Sequence, residues 1–323
     1  MTIESTAIVA PAPAAAPVRR GVRHLVHCPP SWDRYLLAAP ATGEDRFLLT
    51  GDMPGDHPLF NDGPGQFHDP LVVAEALQET GEFIGRQYFG IAADRPGLYQ
   101  RFGLRLTDLA AWRTGPDPAR MTVELWAAPT GTASGAPSGL DLRLDVSLDD
   151  VPCATGAAAL AFAPATRGGP GWPLRAAWPA PAVRPVTPAE VGRLDPANVV
   201  VAEPTPAPSG RLSTWVLPSR QNPALGAAAG GRLSGTLLLE AVRQCAVLTA
   251  GRAVGLVPER SVPAGCEIRF HGRPRSASPL RCAAVPGALD RDAAGRPAVP
   301  VTVTLVQDRV TVGEARTLVV QDF

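Results

Sequence analysis

The stretch GTLLLEAVRQCA, residues 235–246, is apolar at nearly every position, with Glu240, Arg243 and Gln244 as the exceptions. At helical spacing the positions i, i+3 and i+4 share a face, so an acid, a guanidinium and an amide form one polar patch on an oily rod. A helix apolar nearly all round is a buried helix. A buried carboxylate is costly unless it is paired, so this one is kept either for a specific structure or for chemistry.

A second copy lies earlier in the chain. Glu75, inside DPLVVAEALQETGEF, precedes Glu240 by 165 residues, and an ungapped match runs from Arg46/Arg211 to Arg95/Arg260 through Pro58/Pro223, Gly65/Gly230, Ala76/Ala241 and Gly90/Gly255. This is an internal repeat. In both copies a strand-like run (RFLLT, RLSTWVL) leads through a Pro-containing turn and a Gly-rich loop into the helix, and strands follow. The tails align at a spacing of 157 through Val146/Val303, Leu148/Leu305 and Gly156/Gly313. Asp69 before Pro70 is placed to cap the first helix, which is expected to run to about Tyr88 and to stop at Gly90.

The 323 residues suffice for two domains of ordinary size. Thirty basic residues, all arginine, balance thirty acidic ones, so no global field favours nucleic acid or an anionic membrane surface, and neither is expected as a partner. Five scattered cysteines without a CxxC pair speak for a reducing, cytoplasmic compartment rather than a disulfide framework. Residues 1–20 read as a disordered leader: the Ala-rich run is broken by prolines and lacks a basic start. The longest apolar stretch is interrupted by Glu240 and is too short to span a membrane, so a soluble protein is expected. The expected organisation is a first domain over 21–165, a Pro/Ala-rich linker over 166–208 and a second domain over 209–323.

Strand, loop, buried helix and then three or four strands, present twice, is the order of an α+β double hotdog: two tandem units, each a central helix wrapped by a curved antiparallel sheet. FLLTGDMPGDHPLF with HDPLVVAEALQ, GTLLLEAVRQCA, HLVHC at 24–28 and VGRLDPANVVV at the midpoint resemble the A-factor biosynthesis (AfsA-type) hotdog family. The likeness covers most of the chain after about residue 21. It implies transfer of a β-ketoacyl group from an acyl carrier protein thioester to the hydroxyl of dihydroxyacetone phosphate, giving a precursor of γ-butyrolactone-type signalling molecules or related butenolides and furans. It implies no cofactor and no metal. Glu75 matches the acid of the first helix, and Glu240, Arg243 and Gln244 match the E-x-x-R-Q of the second. Two departures stand out. Gln78 and Glu79 follow Glu75 where the family has arginine and glutamine, and Gly231 and Arg232 replace an Asp-His pair that the first copy keeps as His68 and Asp69.

Acyl transfer needs a base for the incoming hydroxyl, an oxyanion site and an acyl pocket. Glu75 and Glu240 are the candidate bases, with Glu240 poised between burial, which raises its proton affinity, and Arg243, which lowers it; a purely structural ion pair is the competing role. Arg243 has two roles open, gripping the acceptor phosphate or neutralising Glu240. Gly235 and Thr236 offer backbone N–H groups at a helix start, and Arg232, Gln78 and Gln244 complete the binding candidates. His68 with Asp69 forms a possible acid/base pair, which would suit a hotdog dehydratase or thioesterase instead; a non-catalytic acyl-binding module is the third alternative. Glu79 and Glu82 read as a solvated face. His24, His27 and Cys28 lack a fourth metal ligand. Residues 226–233 lack the lysine of a nucleotide loop, and Cys245 reads as a buried thiol rather than an acyl carrier.

Overall fold

The computed structural model describes residues 22–26, 35–39, 45–53, 57–64, 66–131, 137–163, 183–206, 211–228 and 231–323. The expected leader, His27 and Cys28 lie outside them, as do the side chain of His24 and residues 229–230 of the glycine-rich loop. The first half contains strands β1 (Val22–Val26), β2 (Tyr35–Ala39) and β3 (Arg46–Asp52), helix α1 (Leu71–Phe89), and strands β4 (Gly97–Leu106), β5 (Arg120–Thr130), β6 (Gly139–Leu148) and β7 (Val151–Phe162). The second half contains β8 (Thr205–Pro206), β9 (Leu212–Trp215), β10 (Ala227–Ala228), β11 (Arg232–Leu233), α2 (Gly235–Val254), β12 (Ser261–Phe270), β13 (Leu280–Pro286), β14 (Asp290–Arg291), β15 (Pro297–Gln307) and β16 (Val310–Gln321).

The main sheet runs β1-β2-β3-β5-β6-β7-β4-β12-β16-β15-β13-β9-β8, with β14 on β15, and every pairing in it is antiparallel. Read outward from its middle, the order β4-β7-β6-β5-β3 on one side repeats as β12-β16-β15-β13-β9 on the other. The two units are therefore copies of one hotdog, joined where β4 pairs with β12 from Arg101↔Arg269 to Arg105↔Gly265. Strand alternation follows from the sequence: the inward side chains of β6 (Leu140, Leu142, Leu144, Val146, Leu148) are buried while the residues between them are partly exposed.

The duplication extends to irregularities. The ladder of β4 slips between Tyr99 and Arg101, and that of β12 slips between Pro263 and Gly265, the equivalent place. Both helices end in a left-handed glycine, Gly90 at φ 67° and Gly255 at φ 77°, as a helix stop requires. One sequence alignment needs correction. The β6–β7 turn has positive φ at Asp149 and Asp150, and the β15–β16 turn has it at Asp308 and Arg309, so the tails correspond at a spacing of 159 rather than 157. The ladder slips agree, with Cys153 and Val312 as the extra residues. A shift of two residues keeps every side chain on its own face, which is why the wrong register looked right.

Helix α2 is buried without a break from Leu237 to Ala250, as its composition demands. Helix α1 buries Leu71–Ala74, Ala76, Leu77, Ile84 and Gly85, and also Glu79, so Glu79 does not belong to a solvated face. Glu82 is half-buried, accepting from Gly97 N at 3.0 Å and from Arg86 at 2.6 Å.

Within the expected linker over 166–208, where VGRLDPANVVV alone resembles ordered structure, residues from 186 to 202 contribute to the core. Val186, Val191, Val199, Val200, Val201 and Ala202 are core residues, and Pro185 and Val201 bridge to Ala202 and Val216. The apolar run Val199–Val201, with Val186 and Val191 before it, gains more from burial than a solvated connector would. This central segment brings two polar side chains into the core, described below.

Candidate functional site

Helix α1 starts behind Asp69, whose Oδ1 accepts the Leu71 N–H at 2.9 Å. The carboxylate thus caps the helix, and its other oxygen accepts from Arg193 Nη2 at 2.7 Å. Arg193, only 2% exposed, comes from the central segment. Its Nε and Nη2 grip Glu240 of α2 at 2.9 and 2.7 Å, and Nη1 donates to the Leu59 carbonyl at 2.8 Å. One guanidinium therefore ties both halves of the molecule to the segment between them.

Glu240, 0% exposed, is held from its own helix as well. Arg243 Nε and Nη2 donate to it at 2.7 and 2.8 Å, and Gln244 Nε2 donates at 2.5 Å. Arg243 Nη2 also reaches the Val191 carbonyl at 3.0 Å. Gln244 spans further, donating to the Asn198 carbonyl at 2.6 Å and accepting from Val200 N at 2.9 Å. Asn198 then donates to the Pro58 carbonyl (2.6 Å) and Asp62 (2.8 Å), and accepts from Asn222 at 2.6 Å. A fully satisfied buried network of this kind fixes one geometry.

The electrostatics correct the expectation of a poised Glu240. Burial drives its proton affinity up, but the charges and hydrogen bonds of Arg193 and Arg243 outweigh burial and hold the carboxyl at about 2. Arg193 is conversely pushed above an ordinary arginine: burial opposes its charge, and Glu240 and Asp69 more than restore it. A carboxylate so clamped is a weak base. It serves as a counterion.

Glu75 has a different setting. It lines a small cavity with Leu71, Ala74, Gln78, Tyr99, Thr236 and Leu239. Leu71 and Leu239 are shared with an apolar chamber containing Phe102, Leu104, Cys266 and Thr317, and bounded by Asp69 and Arg243. Asp69, Pro70, Arg243 and Pro263 in turn belong to an outer cleft with His68, Phe60 and Val262. Cleft, chamber and inner cavity thus stand side by side, divided by the side chains they share. Glu240 lines none of the three, so the two carboxylates do not meet in one pocket as the repeat suggests.

The remaining candidates divide. Thr236 sits in the first turn of α2, ahead of the Ser234 cap bond to Leu237 N (3.1 Å), and its wall of the cavity faces Glu75. Gly235 packs against Gln78: a Cβ there would lie 2.9 Å from Gln78 Oε1. Gln78 Nε2 donates to the Gly97 carbonyl at 3.3 Å. His68 lines the cleft, its Nε2 is buried without a hydrogen-bond partner, and burial, against the pull of Asp149, lowers its proton affinity. Arg232 is not brought to these cavities. It lies in the β10–β11 hairpin bridging Arg275, its proton affinity lowered by burial and then by Arg273. Cys245 is buried and free. Arg193, Asn198 and His57 were not legible as site residues; an arginine inside VGRLDPANVVV was the one available sign.

Among the described residues no helix is long and apolar enough to cross a membrane. The model of the A-factor biosynthesis hotdog domain matches residues 7–164 and 175–320. A 2-oxo-3-(phosphooxy)propyl 3-oxoalkanoate synthase of Streptomyces griseus is 31% identical over 279 residues, 84% of this chain and 85% of that one. A Streptomyces coelicolor protein of the same name is 28% identical over 260 residues, 78% of this chain and 76% of its own. Among solved structures, the 12:0-ACP thioesterase of Umbellularia californica superposes with a TM-score of 0.50 at 11% identity, covering 86% of this chain and 94% of that one. A candidate thioesterase of Novosphingobium aromaticivorans reaches 0.51 at 16% identity, covering 88% and 98%. At such identities the two structures speak for the fold alone.

Proposed function

Because the chain belongs to the A-factor biosynthesis hotdog family and is an enzyme of that type, we propose that it transfers a β-ketoacyl group from a carrier-protein thioester to the hydroxyl of dihydroxyacetone phosphate. The product would be the 2-oxo-3-(phosphooxy)propyl 3-oxoalkanoate for which its relatives are named.

The carrying observation is the division of labour between the two duplicated acids. Glu240 is saturated by Arg193, Arg243 and Gln244, whereas Glu75 lines a small cavity that shares the Leu71 and Leu239 walls of an apolar chamber. We assign Glu75 as the base. It takes the proton of the acceptor hydroxyl as the new C–O bond forms; the Thr236 N–H, at the positive end of α2, receives the developing oxyanion. The C–S bond then breaks and the proton leaves with the thiol. The apolar walls of Leu71, Phe102, Leu104 and Leu239 are assigned to the acyl chain, which must part them on binding, since the space between them is about 30 Å³, the room of one water molecule. Arg243 Nη1, the guanidinium nitrogen outside its bonds to Glu240 and Val191, is assigned to the acceptor phosphate, beside His68 in the cleft.

Incubating the protein with β-ketoacyl carrier-protein thioesters, with and without dihydroxyacetone phosphate, tests this. Mass spectrometry should find the phosphorylated ester only when both are present. Free acid or enoyl product formed regardless of acceptor would instead establish a thioesterase or dehydratase. Glu75→Gln should lower transfer by about a hundredfold or more, the usual scale for a general base, with an unchanged circular dichroism spectrum.

A further inference from the structure

The walls assigned to the acyl chain differ in how far they can yield. Tyr99 and Phe102 lie three positions apart on β4, a spacing that sends side chains to opposite faces of a regular strand. The ladder slip between Tyr99 and Arg101 changes this: Gln100 and Arg101 are both exposed, and Tyr99 and Phe102 both turn inward, 8% and 1% exposed. Their rings pack with centroids 5.4 Å apart, tilted by 59°. The Tyr99 hydroxyl donates to the Ala74 carbonyl of α1, so the ring behind Phe102 is itself tied down. Ile268, fully buried, stands opposite Phe102 across the β4–β12 junction.

The other half carries the same slip with smaller residues. On β12 it falls between Pro263 and Gly265, so Pro263 and Cys266 hold the places of Tyr99 and Phe102, and both line the chamber. Leu104, Cys266 and Thr317 pair in one row across β4, β12 and β16; Phe102, Ile268 and Ala315 form the next row. The first row leaves room, and Phe102 closes the second. Phe102, Leu104, Cys266 and Thr317 do not line the outer cleft, so they stand on the side of the chamber away from its entrance. Leu71, Leu104 and Leu239 can make way by changing rotamer, whereas Phe102, with Tyr99 behind it and Ile268 beside it, can retreat only by breaking the Tyr99–Ala74 bond.

We propose that Phe102, braced by Tyr99, is the stop that sets acyl length, and that it restricts the enzyme to short β-ketoacyl chains. This rests on the reading of the chamber as the acyl site. A chain entering from the cleft passes the three leucines as they give way, and its far end meets the Phe102 ring. Up to that point each added methylene gains from burial; past it, each must overpack a braced core.

Binding tests the stop without turnover. Thioether analogues of β-ketoacyl pantetheine, which cannot be cleaved, are titrated calorimetrically into the full chain, with acyl lengths from butanoyl to dodecanoyl. In wild type the affinity should rise about fourfold per methylene and then break, by β-ketooctanoyl at the latest. In Phe102→Ala the rise should continue for about three further carbons, the room that a benzyl group leaves. Met121→Ala, a core truncation on β5 outside the chamber, should keep the wild-type break. A break unmoved in Phe102→Ala, or moved as far by Met121→Ala, overturns the stop and leaves the acyl site standing; so does a wild-type rise that runs unbroken to dodecanoyl. Analogues that do not bind, or bind without regard to acyl length, remove the acyl site and the stop with it. If Phe102→Ala fails to fold by circular dichroism, Phe102→Leu decides: a break later by about one carbon supports the proposal, and an unmoved one overturns it.

Discussion

Glu240 illustrates how a carboxylate flanked by an arginine at i+3 can be misjudged from sequence. Arg243 is the neighbour the helix supplies, but the larger charge effect comes from Arg193, and the two together outweigh burial and favour the ionised form. The contribution of this carboxylate to stability follows from its displaced titration. Its folded value lies below the ordinary 4.5, at about 2, so the contribution is complete above about pH 4.5 and is lost as pH falls towards 2. The loss should amount to about 3 kcal/mol, read as a falling denaturation midpoint, and should be smaller in Glu240→Gln. Arg193→Met should cost about 3–5 kcal/mol by leaving a buried charge half-compensated. The double variant Arg193→Met/Glu240→Gln should be more stable than the sum of the single losses, because the charge that suffered is gone.

The helices were the most legible elements, and their reasons are local. An uninterrupted apolar run forces α2 into the core, and Glu240, Arg243 and Gln244 meet because i, i+3 and i+4 always do. Partners from afar carry no such signature: Arg193 and Glu240 are 47 residues apart, and His57 approaches Glu75 only through the course of a loop. Strand register sits between these cases, fixed in parity by alternation but free to slip by two, as the tails show. The element that demands most of its residues is the crossing of β4 with β7. A Cβ on Gly156 would lie 2.5 Å from the Gly103 carbonyl oxygen, a backbone atom that can move only with its strand. Gly156→Ala should therefore lose about 1–3 kcal/mol in chemical denaturation. Gly265→Ala on the neighbouring β12, whose Cβ would meet only Leu318 Cβ at 3.7 Å, should stay within about 0.5 kcal/mol of wild type.

At the scale of the molecule the halves are joined by the β4–β12 ladder, by the Asp69–Arg193–Glu240 chain of ion pairs and by the Arg113–Asp322 pair. Neither half completes its polar core alone. Residues 1–170 and 171–323, co-expressed as separate chains, should copurify and unfold in one transition; two independent transitions would show that the junction is weaker than its geometry implies. The segment around Arg193 also has a consequence for symmetry. Two separate but identical subunits would each bring every residue they own to the shared cleft, so both acids would meet the same company. A fused pair has a single seam, and whatever the seam carries arrives once. The arginine delivered there is bonded to Glu240, so tandem fusion itself is enough to give two duplicated acids different surroundings.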